Sequence, residues 1–208
     1  MIKEKIGKLT LSYTNLNTYY LCAFRFYLDN VLKVNSFTSS FDTEIGELFH
    51  YVLSKSYEDD FDFDKEFNYF LQDKEFSSKE MFYISKLEKE LKLIIEFLKE
   101  FNLNTGLTNS MREKRIVVDN DNYVFKGFID KIMYKDYDGK TLLSIIDYKT
   151  GKASFDIYNS YYGLDMQLPL YLYLISKSDL FKDYEVVGLY LERILDSEVN
   201  ITRGKTYK

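Results

Sequence analysis

The stretch Gly127-Phe128-Ile129-Asp130-Lys131-Ile132-Met133-Tyr134-Lys135-Asp136-Tyr137-Asp138-Gly139-Lys140-Thr141-Leu142-Leu143-Ser144-Ile145-Ile146-Asp147-Tyr148-Lys149 reads as two strands joined by a two-residue turn. Asp-Gly favours a type I′ turn, whose central residues both take positive φ. The turn sets Tyr137 opposite Lys140, and counting outward then places Asp130 opposite Asp147. Side chains alternate along a strand, so Lys149 shares a face with Asp147 while Tyr148 points the other way. Two carboxylates about 5 Å apart repel by roughly 3 kcal/mol at an effective dielectric near 20. A proton, solvent or a cation must relieve that repulsion, and a hard divalent cation suits oxygen ligands. Lys149, one step along, is then placed to hold a phosphate or orient water in metal-assisted phosphodiester hydrolysis. An isolated Asp-x-Lys triplet is equally ordinary on a solvated hairpin. The apolar flank Leu142, Leu143, Ile145 and Ile146 favours the first reading by setting Asp147 at the end of a buried strand. The inference rests on register, because a slip of one residue removes the opposition.

Outward from this hairpin, Ile116 to Val118 reads as a preceding strand, completing a three-stranded meander. A helix from about Tyr158 to Ser176 and a strand from Tyr184 to Ile194 follow. The first half is helical. Thr14 caps a helix of roughly Asn15 to Leu28 that carries Leu16, Tyr19, Tyr20, Phe24 and Tyr27. A second helix, Thr43 to Tyr57, buries Ile45, Leu48, Phe49, Val52 and Leu53. A third, Ser78 to about Phe101, has Phe82, Leu87, Leu91, Ile94, Ile95 and Leu98 as its stripe. Its Lys86, Lys89 and Lys92 lie beside glutamates, as on a solvated face. The acidic run Glu58 to Asp64 reads as a solvated connection. The order α-α-α-β-β-β-α-β, with no repeat or low-complexity linker, predicts a single α/β (α+β) domain over 1–208.

Composition narrows the class. With 46% hydrophobic and 29% charged residues the chain is globular. One Cys makes no internal disulfide, which fits a reducing, cytoplasmic setting, and one Cys with one His excludes a zinc cage of Cys and His ligands. No run reaches the length of a membrane span and Met1-Ile2-Lys3-Glu4-Lys5 opens no signal peptide, so no membrane association is expected. A net charge of −5 makes any nucleic-acid contact local.

His50, the lone histidine, lies on the second helix about 120° from the centre of its apolar face. It reads either as a structural or surface residue or as a metal ligand. Gly46, one turn earlier, costs that helix about 1 kcal/mol against alanine, which close approach of another element or a ligand would explain. Gln167 and Tyr171, four apart, share a helix face; alone they are polar neighbours of a leucine core. Pro169 between them is costly inside a helix. Glu113, one strand upstream, is a candidate accessory acid.

Taken in order, these residues resemble the RecB-like branch of the PD-(D/E)xK nuclease superfamily. The resemblance is close to the nuclease domains of AddAB- and RecBCD-type helicase–nucleases and to the related CRISPR-associated exonucleases. It is carried by Leu11-Ser12-Tyr13-Thr14 with Tyr19, Cys22 and Arg25-Phe26, by Gly46 to His50, and by Gly127-Phe128-Ile129-Asp130. Asp147-Tyr148-Lys149-Thr150-Gly151-Lys152 and Gln167-Leu168-Pro169-Leu170-Tyr171 complete it. It implies a restriction-endonuclease-like core: a mixed sheet with an antiparallel meander, flanked by helices. It implies that His50, Asp130, Asp147 and the carbonyl of Tyr148 hold Mg²⁺ or Mn²⁺. It makes Asp130, Asp147 and Lys149 catalytic, and Gln167 and Tyr171 positioning residues for DNA or the lysine.

Two departures stand out. Relatives with an iron–sulfur cluster use four Cys; here only Cys22 is present, in Cys-Ala-Phe-Arg-Phe, so no iron–sulfur cluster is expected and Cys22 reads as a buried apolar residue. The chain also stops at Tyr207-Lys208 where relatives continue, which implies a minimal version or a nuclease domain cut from a longer protein. The expectation is a metal-dependent DNA nuclease, an exonuclease on ends or single strands, in recombination or repair, with a helicase subunit as partner. Arg25, Arg112, Lys114, Arg115 and Lys152 are candidate phosphate contacts. Tyr19 and Tyr20 either stack on bases or are buried. The competing readings are an inactive or partner-dependent module for DNA-end binding or assembly, and an RNA or nucleotide phosphohydrolase.

Overall fold

The computed structural model describes residues 8–34, 40–104, 106, 109–151 and 155–195. In chain order the elements are β1 (Leu9–Leu11), α1 (Tyr13–Leu21), α2 (Ala23–Phe26) running into a π turn (Tyr27–Val31), α3 (Phe41–Lys55), α4 (Phe63–Leu71), α5 (Ser78–Asn104), β2 (Asn109–Asp119), β3 (Tyr123–Tyr137), β4 (Lys140–Lys149), α6 (Ile157–Tyr161), α7 (Gln167–Lys177), a 3₁₀ turn (Asp179–Phe181) and β5 (Tyr184–Arg193). The strands form one mixed sheet: β2 and β4 lie antiparallel to β3, β1 parallel to β3, and β5 parallel to β4. This is the expected mixed α/β architecture with a meander at its centre. Among the described residues no helix is long and apolar enough to cross a membrane.

The helices form where local chemistry supports them. Ser40 caps α3, and the face Ile45, Leu48, Phe49, Val52 and Leu53 is buried as its spacing predicts; each such side chain contributes about 1.5–3 kcal/mol. Ser77 and Glu80 cap α5 reciprocally, each side chain accepting from the other's backbone N–H. Its buried stripe is Ile84, Leu91, Ile95 and Leu98, while Phe82 is exposed. The acidic run is more than a connection. Asp62 accepts from the Lys65 N–H at 3.0 Å and starts α4, a carboxylate favoured there by the helix dipole.

The first predicted helix is two pieces. Ser12, not Thr14, caps α1, and Cys22 breaks it in an extended conformation. The Cys22 sulfur then accepts from the Arg25 N–H. Cys22 is exposed and free, and Tyr19 and Tyr20 are about half exposed. The expectation of burial fails for all three, because α1 and α2 bury no residue completely.

The sheet is covered on both faces. Met133, Ile146 and Tyr148 pack with α3, α4 and α5. Ile116, Phe125, Ile129, Ile132, Leu143 and Ile145 pack with Leu168, Tyr171, Leu174 and Ile175 of α7. The helix expected from Tyr158 to Ser176 is split: Gly163 and Asp165 take φ of +81° and +50° between α6 and α7. Pro169 therefore falls in the first turn of α7, where backbone N–H groups have no intrahelical partner, so its cost disappears.

The hairpin register is as expected. Asp138 and Gly139 take φ of +50° and +75°, and pairing runs from Tyr137↔Lys140 to Lys131↔Ile146. It ends one step short of Asp130 and Asp147, so the two aspartates do not form the cross-strand pair that counting predicts. On the same edge of β3, β1 pairs only with residues 123–125, and among the described residues 126–130 have no ladder partner there. On the other edge, β2 pairs with β3 at Arg112↔Lys131 and Lys114↔Ile129 but not between. Glu113, at the missing step, has φ of +45°. The sheet thus opens around Asp130, and side-chain alternation shifts across the opening. Ile129 and Ile132, three apart, enter the same core.

Helix α7 lies close to β3 at Gly127, where a Cβ would sit 2.5 Å from the Leu174 side chain. Leu174 is fully buried, so Gly127→Ala is expected to destabilise the fold by about 1–3 kcal/mol through overpacking. Urea denaturation followed by circular dichroism checks this.

Candidate active site

Three elements converge at the opening in the sheet. Helix α3 brings His50, β2 brings Glu113 and β3 brings Asp130. His50 Nδ1 lies 3.3 Å from Asp130 Oδ1 and 3.9 Å from Glu113 Oε1. One nitrogen or oxygen from each of these residues falls within 4.8 Å of the others. The second Asp130 oxygen accepts from the backbone N–H of Tyr148 at 2.7 Å, replacing the ladder acceptor that the opening removes. Burial, reinforced by the Asp130 charge, pushes the Glu113 carboxyl up to about 7. Burial works to lower the His50 pKa, but the hydrogen bond and charge of Asp130 and the charge of Glu113 outweigh it and raise it.

Asp147 sits beside this trio and faces α7. Its Oδ1 accepts from Gln167 Nε2 at 2.6 Å and, more weakly, from the Tyr171 hydroxyl at 3.4 Å. Gln167 Oε1 accepts from Lys149 Nζ at 2.7 Å, so one amide at the first turn of α7 holds both the carboxylate and the lysine. Lys149 Nζ is also 2.6 Å from Asp147 Oδ2. Beyond this ion pair, the buried Oδ2 accepts no hydrogen bond among the described residues. Asp147 is 1% exposed. Burial and then the Asp130 charge push its carboxyl up to about 6, with Lys149 opposing. Concentrated negative charge, a buried carboxylate oxygen that accepts no hydrogen bond among the described residues, and a set of imidazole and carboxylate donors fit a divalent cation; the mixed ligation suits Mn²⁺ as well as Mg²⁺.

The geometry joins His50, Asp130, Asp147, Lys149, Gln167 and Tyr171 in one place. Tyr148 lies between them in sequence, with its ring on the opposite face, 6.1 Å from the His50 ring. Glu113, an accessory candidate in the sequence, belongs to the group itself. Tyr13 was missed: at the start of α1, its hydroxyl pKa is raised by burial and by Asp165 and Asp147. It stands in the Leu11-Ser12-Tyr13-Thr14 motif, but nothing local gave it a site role, and the packing of α1 brings it near. A cleft of about 460 Å³ opens beside His50, Glu113 and Lys149, walled by Asp42, Gly46 and Thr150. Among the described residues a Cβ on Gly46 would meet only Thr150, at an ordinary 3.6 Å, so none of them requires that glycine by close approach.

The candidate phosphate contacts divide. Arg115 is exposed on β2, two residues past Glu113. Arg25 is exposed and paired with Asp29. Arg112 lies away from the cleft, stacked on Tyr57. Lys114 pairs opposite Ile129. Lys152 lies outside the described residues. The α5 lysines behave as a solvated face, Lys92 being paired with Asp64 and Glu88.

The chain matches the PD-(D/E)XK nuclease superfamily over residues 10–201 and belongs to it. It is similar to bacterial proteins named as one subunit of an ATP-dependent helicase/deoxyribonuclease. The one from Lachnoclostridium phytofermentans is 47% identical over 25% of this chain and 5% of its own length. The one from Carboxydothermus hydrogenoformans is 26% identical over 85% and 19%. The one from Lactococcus lactis subsp. cremoris is 29% identical over 89% and 18%. The chain thus spans less than a fifth of the length of these relatives.

Because the fold penalises an ionised Asp147, Asp147→Asn is expected to leave the metal-free melting temperature unchanged or to raise it. Mn²⁺ is expected to stabilise the wild type, by about 2.7 kcal/mol at a metal concentration about 100 times the dissociation constant, and Asp147→Asn is expected to lose most of that gain. Paired thermal melts with Mn²⁺ and with EDTA check both parts.

Proposed function

We propose that this chain is a metal-dependent DNA nuclease, hydrolysing phosphodiesters as an exonuclease on ends or single strands in recombination or repair. The observation that carries the reading is the Gln167 clamp, which fixes Lys149 beside Asp147 at the edge of the His50, Glu113 and Asp130 group. Membership of a nuclease superfamily supports it. In this reading His50, Glu113, Asp130, Asp147 and the Tyr148 carbonyl hold Mg²⁺ or Mn²⁺. When bound, the cation supplies a water of lowered pKa and offsets charge on the phosphate.

The other roles belong to the chain. Asp147 pairs with the Lys149 ammonium and Gln167 aims it, so Lys149 donates to a non-bridging phosphate oxygen without reorganising. Tyr171 restrains Gln167 by accepting from its amide at 3.0 Å. Asp130 is held by Tyr148 N–H, which keeps its other oxygen turned toward His50. Exposed Arg115 contacts phosphate, and the half-exposed Tyr19 and Tyr20 are available to stack on bases. With a net charge of −5, the isolated chain binds DNA weakly and with steep salt dependence. A helicase partner, as in the names of the relatives, supplies affinity.

The test is cleavage of end-labelled single- and double-stranded DNA with Mn²⁺, Mg²⁺ or EDTA. Wild-type activity should vanish in EDTA and in Asp147→Ala. Lys149→Ala should cost about 10²–10³-fold and Gln167→Ala about 10–100-fold. Folded protein that binds Mn²⁺ but cleaves nothing would replace the reading with a partner-dependent or inactive module. Cleavage of RNA or free nucleotides instead would reassign the substrate.

A further inference from the structure

A second cavity, of about 530 Å³, lies at the C-terminal end of α3, walled by Ser56, Tyr57, Lys99, Asn102, Ser110 and Arg112 among others. It shares no lining residue with the His50 cleft. Behind its Arg112 wall lies a charge problem opposite in sign to that of the first site. Arg112 on β2 is directly opposite Lys131 on β3, and Lys131 is 1% exposed. Like charges directly opposite on a sheet are destabilising, and a buried charge without full pairing is more so. The carboxylate that acts on Lys131 is Glu192, one anion for two cations.

The polar groups here are mostly donors. Lys131 Nζ donates to Asn102 Oδ1 at 2.8 Å, and the Asn102 amide donates to the Tyr57 hydroxyl. The Arg112 guanidinium carbon lies over the Tyr57 ring, 3.3 Å from its centroid, and the guanidinium donates to Ser110 Oγ at 2.7 Å. Its buried Nε finds no acceptor. Lys99 reaches the cavity from α5, and the Glu58 carboxylate on its rim is engaged by Lys55. Excess positive charge, a guanidinium fixed by stacking, and hydroxyl and amide groups around open volume are the chemistry that receives an oxyanion.

We propose that this cavity is an anion site that takes a phosphate group between Arg112 and Lys99. The phosphate comes either free or as the terminal phosphate of a mononucleotide, for which the volume leaves room. The inference uses nothing from the nuclease reading and stands or falls separately.

The test is calorimetric titration of inorganic phosphate, 5′-dAMP and deoxyadenosine into the full chain without divalent metal. Arg112→Gln, Lys99→Ala and Asp147→Asn are titrated in parallel. Phosphate is expected to bind saturably, about tenfold more weakly in Arg112→Gln and roughly threefold more weakly in Lys99→Ala. Asp147→Asn should bind as the wild type does, and deoxyadenosine should not bind. A 5′-dAMP affinity above that of phosphate assigns the mononucleotide; equal affinities assign free phosphate. Lys99 is exposed, so Lys99→Ala decides the matter even where Arg112→Gln fails to fold. Absence of saturable binding by either phosphate ligand, or binding that Lys99→Ala leaves unchanged, overturns the site.

Discussion

Between Arg112↔Lys131 and Lys114↔Ile129 the ladder of β2 and β3 loses one pair, and on the other edge of β3 the pairing with β4 stops just before Asp130. A regular sheet would have fixed these backbones at the usual spacing and sent Glu113, Asp130 and Asp147 into ordinary alternation. The opening instead lets Asp130 turn toward His50 on α3 while Asp147 turns toward Gln167 on α7. A left-handed Glu113 costs about 1–2 kcal/mol for a residue with a Cβ. The rest of the site is arranged around that interruption.

Charge follows the same geometry. Arg112 and Glu113 are neighbours on β2, as Asp130 and Lys131 are on β3. The opening separates them into a carboxylate group beside α3 and α7 and a cationic pair under Tyr57. Each set places like charges close together in a partly buried place; Lys149 beside Asp147 and Glu192 acting on Lys131 offset only part of that charge. Gln167 and Tyr148 N–H hold the carboxylates; Asn102, Tyr57 and Ser110 hold the cations. These neutral partners fix the geometry of the charged groups without cancelling their charge.

The second half of the site depends on how α7 is delivered. Gly163 and Asp165 turn the chain between α6 and α7, so α7 begins at Gln167, and the absence of a side chain on Gly127 lets the helix settle on β3. Pro169 looks wrong for a helix until that start is known. It then marks the first turn, where the missing N–H costs nothing.

Much was legible in the sequence because its causes are local. The α3 stripe follows from helical period, the Asp138-Gly139 turn from its φ preferences, and the shared side of Asp147 and Lys149 from strand alternation. The order of motifs was enough to mark the nuclease superfamily. Other features were decided by tertiary structure alone. Counting register outward from the turn predicted Asp130 against Asp147, and the ladder parted one step earlier. Cys22, Tyr19 and Tyr20 sit on a helical pattern that suggested burial, yet Cys22 is exposed and the two tyrosines are half exposed. His50 meets Glu113 and Asp130, and Arg112 is drawn away to Tyr57, through packing between segments roughly 55 to 80 residues apart in sequence, too far for any local pattern to encode. Periodicity and turn chemistry act over a few residues. Where a ladder opens, and which helix seats over the opening, depends on the packing of the whole sheet.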